Sequence, residues 1–320
     1  MAVSVISYNS ENTTEHKNAT ITQASALKDC VVWLDVTNPS ENDIKELRKA
    51  YGFHQLALDD CTHEVQRPKI DLYAGYFFLV LRHIYLQEHR VHTKQLSVFV
   101  GKNYLVSVHK DDFVFLDSVR HLIHEGGHRV SKCGPDYLLY LISDRIVDNY
   151  FVVLDSVEDE IDKIEKLVLK KPDKTALGHV FRIKRELLLM VKPIWPTREV
   201  FHTLQSGSLD MVSSESIPYF RDIYDHLINT IDLIETYREL VAASLESYLS
   251  MISNALNEVV KVLTVLTTLF MIPTLIASIY GMNFHYMPEI DWDMGFYFSL
   301  ALMILSMVLT YLYFAYKRWV

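Results

Sequence analysis

The sequence is short of the features that mark most soluble functional classes. Its three cysteines, Cys30, Cys61 and Cys133, are scattered without CxxC spacing, which argues against a disulfide framework or a structural zinc site and fits a reducing compartment. No Gly-rich loop of the GxxxxGK type occurs, so direct drive by ATP is not expected. Basic residues are outnumbered, 31 Lys and Arg against 40 Asp and Glu, for a net charge of -9. Nucleic acid is therefore not an expected partner, since its recognition needs a clustered basic surface, and cations are favoured instead. The first 30 residues lack the continuous apolar core of a secretory signal, which leaves membrane insertion to internal segments. Asp59-Asp60, Cys61-Thr62-His63 and the 14 histidines form no catalytic spacing, so no enzyme is expected.

What is present divides the chain in two. Its 320 residues exceed a typical single domain, hydrophobic residues make up 50% of it, and their excess is concentrated after Val259. Residues 1–30 are Ser/Thr/Asn-rich and read as a polar tail. Over residues 31–125 short β-rich runs, Val31-Val32-Trp33-Leu34 and Tyr76-Phe77-Phe78-Leu79-Val80-Leu81, join a capped helix start at Ser40-Glu41-Asn42-Asp43, which predicts an α/β domain. Gln95 to Val100 and Tyr104 to Val108 flank Gly101-Lys102-Asn103 and read as a hairpin.

Residues 136–218 change character. Asp136 to Lys171 has neither Gly nor Pro and carries apolar residues at helical spacing, so one long helix is expected there. A second helix after Pro172-Asp173 should run back antiparallel to it, interrupted at Pro193 and Pro196. Asp155, Glu158, Asp159, Glu160, Asp162 and Glu165 on the first helix form either a solvated face or a cation-collecting one. Tyr219 to Tyr280 has no glycine and one proline, Pro273, which predicts a helix of roughly 90 Å. Ile223, Leu227, Ile234, Val241, Leu245, Tyr248 and Ile252 give it one face that wants a partner. Residues 219–261 thus read as a stalk.

The stalk leads into two uncharged apolar segments, 262–280 and 295–316, each long enough to cross about 30 Å of hydrocarbon. The loop between them, 281–294, carries Glu289, Asp291 and Asp293 and no Lys or Arg, whereas Lys261 and the basic end, 317–320, bracket the pair. The positive-inside rule then puts both ends in the cytoplasm and the acidic loop outside. Trp292, Tyr297, Tyr311, Tyr316 and Trp319 fit interfacial anchors. Within the first span Asn257, Val260, Thr267, Met271, Thr274 and Ser278 recur at steps of 3, 4 or 7 and share one face. That stripe is either helix-packing glue or the wall of a water path. Two helices cannot enclose a pore, so the second reading requires several copies of the chain.

Tyr280-Gly281-Met282-Asn283-Phe284, followed by Met287-Pro288-Glu289 and a second span, closely resembles the CorA family of magnesium transporters. Arg67-Pro68-Lys69, Gly101-Lys102-Asn103-Tyr104, Asp136-Tyr137-Leu138-Leu139-Tyr140, Ile194-Trp195-Pro196, Tyr219-Phe220-Arg221-Asp222 and Asn257-Glu258-Val259-Val260 are similar to the same family. The resemblance implies an α+β membrane protein, funnel-shaped and homopentameric, with five first spans around one pore in the cell inner (plasma) membrane. It implies Mg²⁺ influx down the electrochemical gradient, with Co²⁺ and Ni²⁺ as further passengers. Its partners would be copies of itself, the lipid bilayer and divalent cations, and no organic cofactor is implied.

By the same resemblance Gly281, Met282 and Asn283 form the selectivity filter, and Asn257, Val260, Leu263, Thr267, Met271, Thr274 and Ser278 line the pore. Thr267 departs from the small apolar residue expected at its step. Mg²⁺ sheds water reluctantly, so a neutral ring of Asn283 carbonyls suits a hydrated ion. A helix stop is the other use of Gly281 and Asn283. Glu289, Asp291 and Asp293 would focus cations at the mouth, or are solvated loop charge. Family members close when intracellular Mg²⁺ occupies carboxylates between subunits. Asp222 matches one such position and Glu88 is the candidate partner. Two rivals stay open: a zinc transporter of the same fold, and a two-span membrane-anchored sensor or scaffold that would not need Asn283.

Overall fold

The computed structural model describes residues 2–9, 12–16, 19–63, 66–125, 134–170, 174–283, 285 and 292–319. The chain separates into two compact units, Met1–Lys166 with Lys174–Ser244, and Leu167–Asp173 with Leu245–Val320.

The first unit is built on a seven-stranded sheet. In chain order its elements are β1 (Ala2–Tyr8), β2 (Thr13–Glu15), α1 (Ile21–Ala26), β3 (Val31–Thr37), α2 (Glu41–Tyr51), α3 (Gln55–Thr62), β4 (Lys69–Tyr73), β5 (Tyr76–Gln87), β6 (Arg90–Gly101), β7 (Tyr104–His109) and α4 (Val114–Glu125). The strands lie in the order β2-β1-β3-β7-β6-β5-β4. Every pairing is antiparallel except β3 with β7, which is parallel and sets Leu34 opposite Val106. The expected hairpin is β6–β7, with Val100 opposite Leu105. Gly101 is required in it because the Tyr104 ring lies where a Cβ would stand.

Both faces of the sheet are covered, which is why β5 reads as an unbroken apolar run rather than an alternation. On one face α1, α2 and α3 enclose Val5, Leu34, Leu47, Leu58, Phe78 and Val106, with Phe53 stacked on Phe99 at 3.9 Å between ring centres. On the other face Asn149 and Tyr150 of the next helix donate hydrogen bonds to the Ile84 and Arg82 carbonyls of β5, both at 2.5 Å. The α2 start carries the predicted cap: the Ser40 hydroxyl accepts from the Asp43 N–H, the Asp43 carboxylate accepts from the Ser40 N–H, and Gly52 closes the helix in a left-handed turn.

One polar knot is buried beside this sheet. Asp35 on β3 is 2% exposed and accepts from Ser107, from His109 Nε2 at 3.0 Å and from Arg120 of α4 at 2.5 Å. Burial alone would push the Asp35 carboxyl up, but the hydrogen bonds and positive charge of these partners outweigh it and hold it below the usual value. His109 Nδ1 lies 2.6 Å from the Asp111 carbonyl. Both ring nitrogens of His109 therefore face acceptors.

Three long helices complete the unit. These are α5 (Pro135–Lys170), α6 (Lys174–Gln205) and the first part of α7 (Ile217–Tyr280). Glu160 of α5 pairs with Arg182 of α6, Phe201 of α6 meets Phe220 of α7 at 6.1 Å, and Tyr237 of α7 donates to Glu158 of α5 at 2.5 Å. Phe220, Ile223, Leu227, Ile234 and Val241 are buried at steps of 3, 4 or 7, the partnered face foreseen for the stalk.

Two expectations are corrected. The polar tail over residues 1–30 is instead part of the sheet, because β1 pairs with β3 from Ala2↔Thr37 to Tyr8↔Val31 and buries Val5, Ile6 and Tyr8. A short strand buried on both faces shows no alternation, and its serines masked it. The second helix of the pair is not interrupted at Pro193 and Pro196, for α6 runs through both. A proline φ is compatible with a helix and removes one hydrogen bond. The Thr197 hydroxyl takes up the Pro193 carbonyl at 2.8 Å, and buried Ile194 and Thr197 anchor the stretch.

The second unit holds the remainder of α7 and α8 (Gly295–Tyr316). The 64 residues of α7 are one helix that passes through Pro273, about 96 Å long at 1.5 Å per residue.

Candidate functional site

The apolar windows of α7 and α8 are only 6% and 11% buried. Leu263, Leu266, Phe270, Met271, Leu275 and Ile279 are each nearly half exposed or more. An apolar surface of that extent is stable in lipid or against other helices and not in water. Together with the uncharged sequence it makes this a membrane protein with two spans.

All seven residues expected to line a pore, Asn257, Val260, Leu263, Thr267, Met271, Thr274 and Ser278, are exposed on α7. At about 100° per residue they fall within an arc of roughly 120°. Their hydroxyls are not equivalent. Thr274 donates to the Phe270 carbonyl at 2.7 Å, as Thr264 and Thr268 do to Val260 and Thr264 at 2.8 Å. The hydroxyls of Thr267 and Ser278 make no bond to the described residues. A threonine that gives its proton to its own backbone turns its lone pairs outward, and lone pairs are what the water shell of a cation accepts as partners.

The helix ends at the glycine of the motif. Gly281 N–H donates to the Ala277 carbonyl at 2.9 Å and Met282 N–H to the Ile279 carbonyl at 3.2 Å. A Cβ on Gly281 would stand 3.2 Å from the Ala277 oxygen. Unlike Gly52, Gly281 is not in the left-handed region, so its smallness, rather than its conformational freedom, is what the turn uses. Asn283 is exposed, and its amide makes no hydrogen bond to the described residues. Asp293 is exposed just before α8, where the helix dipole favours an acid. Glu289 and Asp291 lie outside the described residues.

The two regulatory candidates lie on different elements. Glu88 lies at the tip of the β5–β6 hairpin with His89, at φ 51° and 59°, as a two-residue primed turn requires. Asp222 lies on α7, with His226 Nε2 at 3.9 Å. What α7 faces instead is Asp144 of α5, a residue missed from the sequence. Burial raises the Asp144 carboxyl above its usual value, and the negative charges of Asp148 and Asp222 push it the same way. The signal for it is tertiary: α5 and α7 must first be packed together. Among the described residues no three His, Cys, Asp or Glu form a group able to hold a metal ion. Cys61 is no such ligand, because burial pushes its thiol up to about 12 and its sulfur bonds the Ala57 carbonyl.

Comparison with known proteins gives this arrangement a family. The model of the CorA-like Mg²⁺ transporter protein family matches residues 28–318. The chain is 37% identical over 322 aligned positions to the cobalt/magnesium transport protein CorA of Thermotoga maritima, covering 99% of this chain and 92% of that one. To the protein of the same name from Methanocaldococcus jannaschii it is 27% identical over 291 positions, with 91% and 92% covered. The complete structure of the CorA magnesium transporter from that organism superimposes with a TM-score of 0.88 at 24% identity, covering 100% of this chain and 99% of that one. The chain belongs to the CorA-like Mg²⁺ transporter family.

Proposed function

We propose that five copies of the chain form a Mg²⁺ channel in which the α7 helices surround one central path and Gly281-Met282-Asn283 makes its outer mouth. The observation that carries this reading is the exposed Asn283 amide just past the end of α7, which makes no hydrogen bond to the described residues, above a stripe of exposed hydroxyls on the uncharged stretch 262–280. Mg²⁺ keeps its waters, so the mouth contacts the hydrated ion through neutral oxygens rather than a cage of carboxylates. Val260, Leu263 and Met271 supply apolar rings that gate by dewetting. Both termini are cytoplasmic on the evidence of Lys261 and Lys317-Arg318. The membrane potential drives entry, contributing about 4.6 kcal/mol per 100 mV to a divalent ion at about 2.3 kcal/mol per unit charge. Co²⁺ and Ni²⁺ share the path. The likeness of the chain to two cobalt/magnesium transport proteins supports Mg²⁺ and Co²⁺.

Intracellular Mg²⁺ closes the channel by bridging subunits at Asp222, with Asp144 beside it and Glu88 as a candidate from the neighbour. The support for a site between chains is that burial and, more weakly, the negative charges of Asp148 and Asp222 raise the Asp144 carboxyl, while no chain alone completes a metal group among the described residues. The test is Mg²⁺ influx into proteoliposomes under an inside-negative potential, native chain against Asn283→Ala. Native influx lost in a still-assembled mutant supports the pore. Zinc flux without magnesium flux would replace this reading with a zinc transporter, and no flux of either with a membrane-anchored sensor.

A further inference from the structure

The polar members of the α7 stripe are unequally spaced. At 1.5 Å per residue Asn257 and Thr267 stand about 15 Å apart along the helix, and Thr267 and Thr274 about 10 Å. The other members between Asn257 and Thr274 are apolar, Val260, Leu263 and Met271, and all three are exposed. Without Thr267 the stretch from Asn257 to Thr274 would run about 25 Å, close to the thickness of the hydrocarbon itself, about 30 Å. Thr267 also lies near the middle of the stripe. Leu263 is one turn before it and Met271 one turn after it, each about 40° away round the axis and on opposite sides.

Its hydroxyl differs from those of the neighbouring threonines. Thr264 and Thr268 give their protons to the Val260 and Thr264 carbonyls at 2.8 Å, and Thr274 gives its own to Phe270 at 2.7 Å. Each of these has only lone pairs left to offer. The Thr267 hydroxyl is exposed and makes no bond to the described residues, so it can both donate and accept. Thr264 stands about 60° from Thr267 round the axis and Thr268 about 100°. A water enclosed in a protein holds about three hydrogen bonds. Between apolar rings it has only the waters before and behind it, and a narrow apolar stretch therefore dries. A hydroxyl free to donate or accept supplies the missing partner.

We propose that the Thr267 hydroxyls hold water in the middle of the apolar stretch, so that a hydrated Mg²⁺ crosses two short dry segments instead of one long one. Thr267 thereby sets the rate of the open path, whereas Asn283 acts at its mouth. It is a positioning residue for water rather than an ion ligand, because Mg²⁺ keeps its own shell. The proposal rests on the channel reading above and deepens it. The other use of the same hydroxyl, a bond to a neighbouring helix, predicts a loss of assembly instead of a loss of rate.

The test is initial Mg²⁺ influx into proteoliposomes that start without internal Mg²⁺, under an inside-negative potential, with assembly followed by size-exclusion chromatography. Thr267→Val keeps the branched shape and removes the hydroxyl, and it should lower influx about tenfold in a still-assembled protein, the worth of about one hydrogen bond. Adding Leu263→Thr to Thr267→Val returns a hydroxyl to the same face one turn away and should recover most of the loss, which a packing role would not do. Thr268→Val, whose hydroxyl is already bound to the Thr264 carbonyl, should leave influx near the native value. Influx undiminished by Thr267→Val, a loss accounted for by failed assembly, an equal loss in Thr268→Val, or no recovery in the double variant would each overturn the proposal. The two readings fail separately. Absent native influx, or influx indifferent to Asn283→Ala, removes the channel reading and this proposal with it. Influx that Asn283→Ala abolishes and Thr267→Val leaves intact removes this proposal alone.

Discussion

Along α7 one helix meets two environments. Up to Ser244 it hides Phe220, Ile223, Leu227, Ile234 and Val241 against α5 and α6 and turns Asp222, Glu235 and Arg238 outward. From Val259 to Ile279 no residue is buried at all, although the sequence is more apolar. The first part is completed by its own chain. The second has an apolar surface that its own chain leaves uncovered, and that surface requires lipid or other helices. A change in the first part should therefore be felt as stability, and a change in the second as transport.

The sharpest test of this contrast is a matched pair of truncations. Phe220→Ala removes a fully buried ring at the α6–α7 contact and should cost about 3–5 kcal/mol of stability. Leu266→Ala, half exposed in the span, should change it by less than about 0.5 kcal/mol. Denaturant unfolding of the purified protein measures both, and equal effects would break the comparison.

Next in size is the knot at Asp35. Removing Arg120 or His109 leaves a buried carboxylate under-partnered, at about 3–5 kcal/mol, and Asp35→Asn removes its pH dependence. The sign follows from the depressed folded value: the stabilisation is complete above the unfolded carboxyl value, about 4, and is lost as pH falls through the lower folded one. Thermal melts from pH 7 down to pH 3 should show an acid-side slope in the native protein that is reduced in Asp35→Asn.

A smaller effect tests whether Asp144 acts with Asp222. Asp222→Asn and Asp144→Asn should each raise the Mg²⁺ concentration that protects the assembled protein from proteolysis by about tenfold, the equivalent of about 1.4 kcal/mol. The double variant should exceed neither by the full product, because the two carboxylates share one charge environment. A fully multiplicative result would mean that the residues act separately.

How much of this was legible depended on how far apart the partners are in the chain. The β6–β7 hairpin, the uncharged spans and the α7 stripe are written in residues a few positions apart, and each is visible in the sequence. The β1 strand is not, because what makes it a strand is Leu34 opposite Val5. Asp144 is not, because it acquires meaning only when α5 lies against α7. Pro193 and Pro196 read as breaks because a local rule disfavours them, whereas the packing of Ile194 and Thr197 overrides it.

The smallest effect checks the most local reading of all. Ser40 satisfies the Asp43 N–H at the start of α2 and receives the Asp43 carboxylate in return. Ser40→Ala removes one half of that exchange and should cost about 1 kcal/mol. Asp43 is 5% exposed, so its carboxylate loses the Ser40 hydroxyl, 2.7 Å away, and keeps only the backbone donor. If the loss greatly exceeds about 1 kcal/mol, the cap is a buried hydrogen-bond unit of the sheet domain rather than a helix-end ornament. If Ser40→Ala also alters Mg²⁺ flux, the separation between a region read in stability and a region read in transport fails at its weakest point.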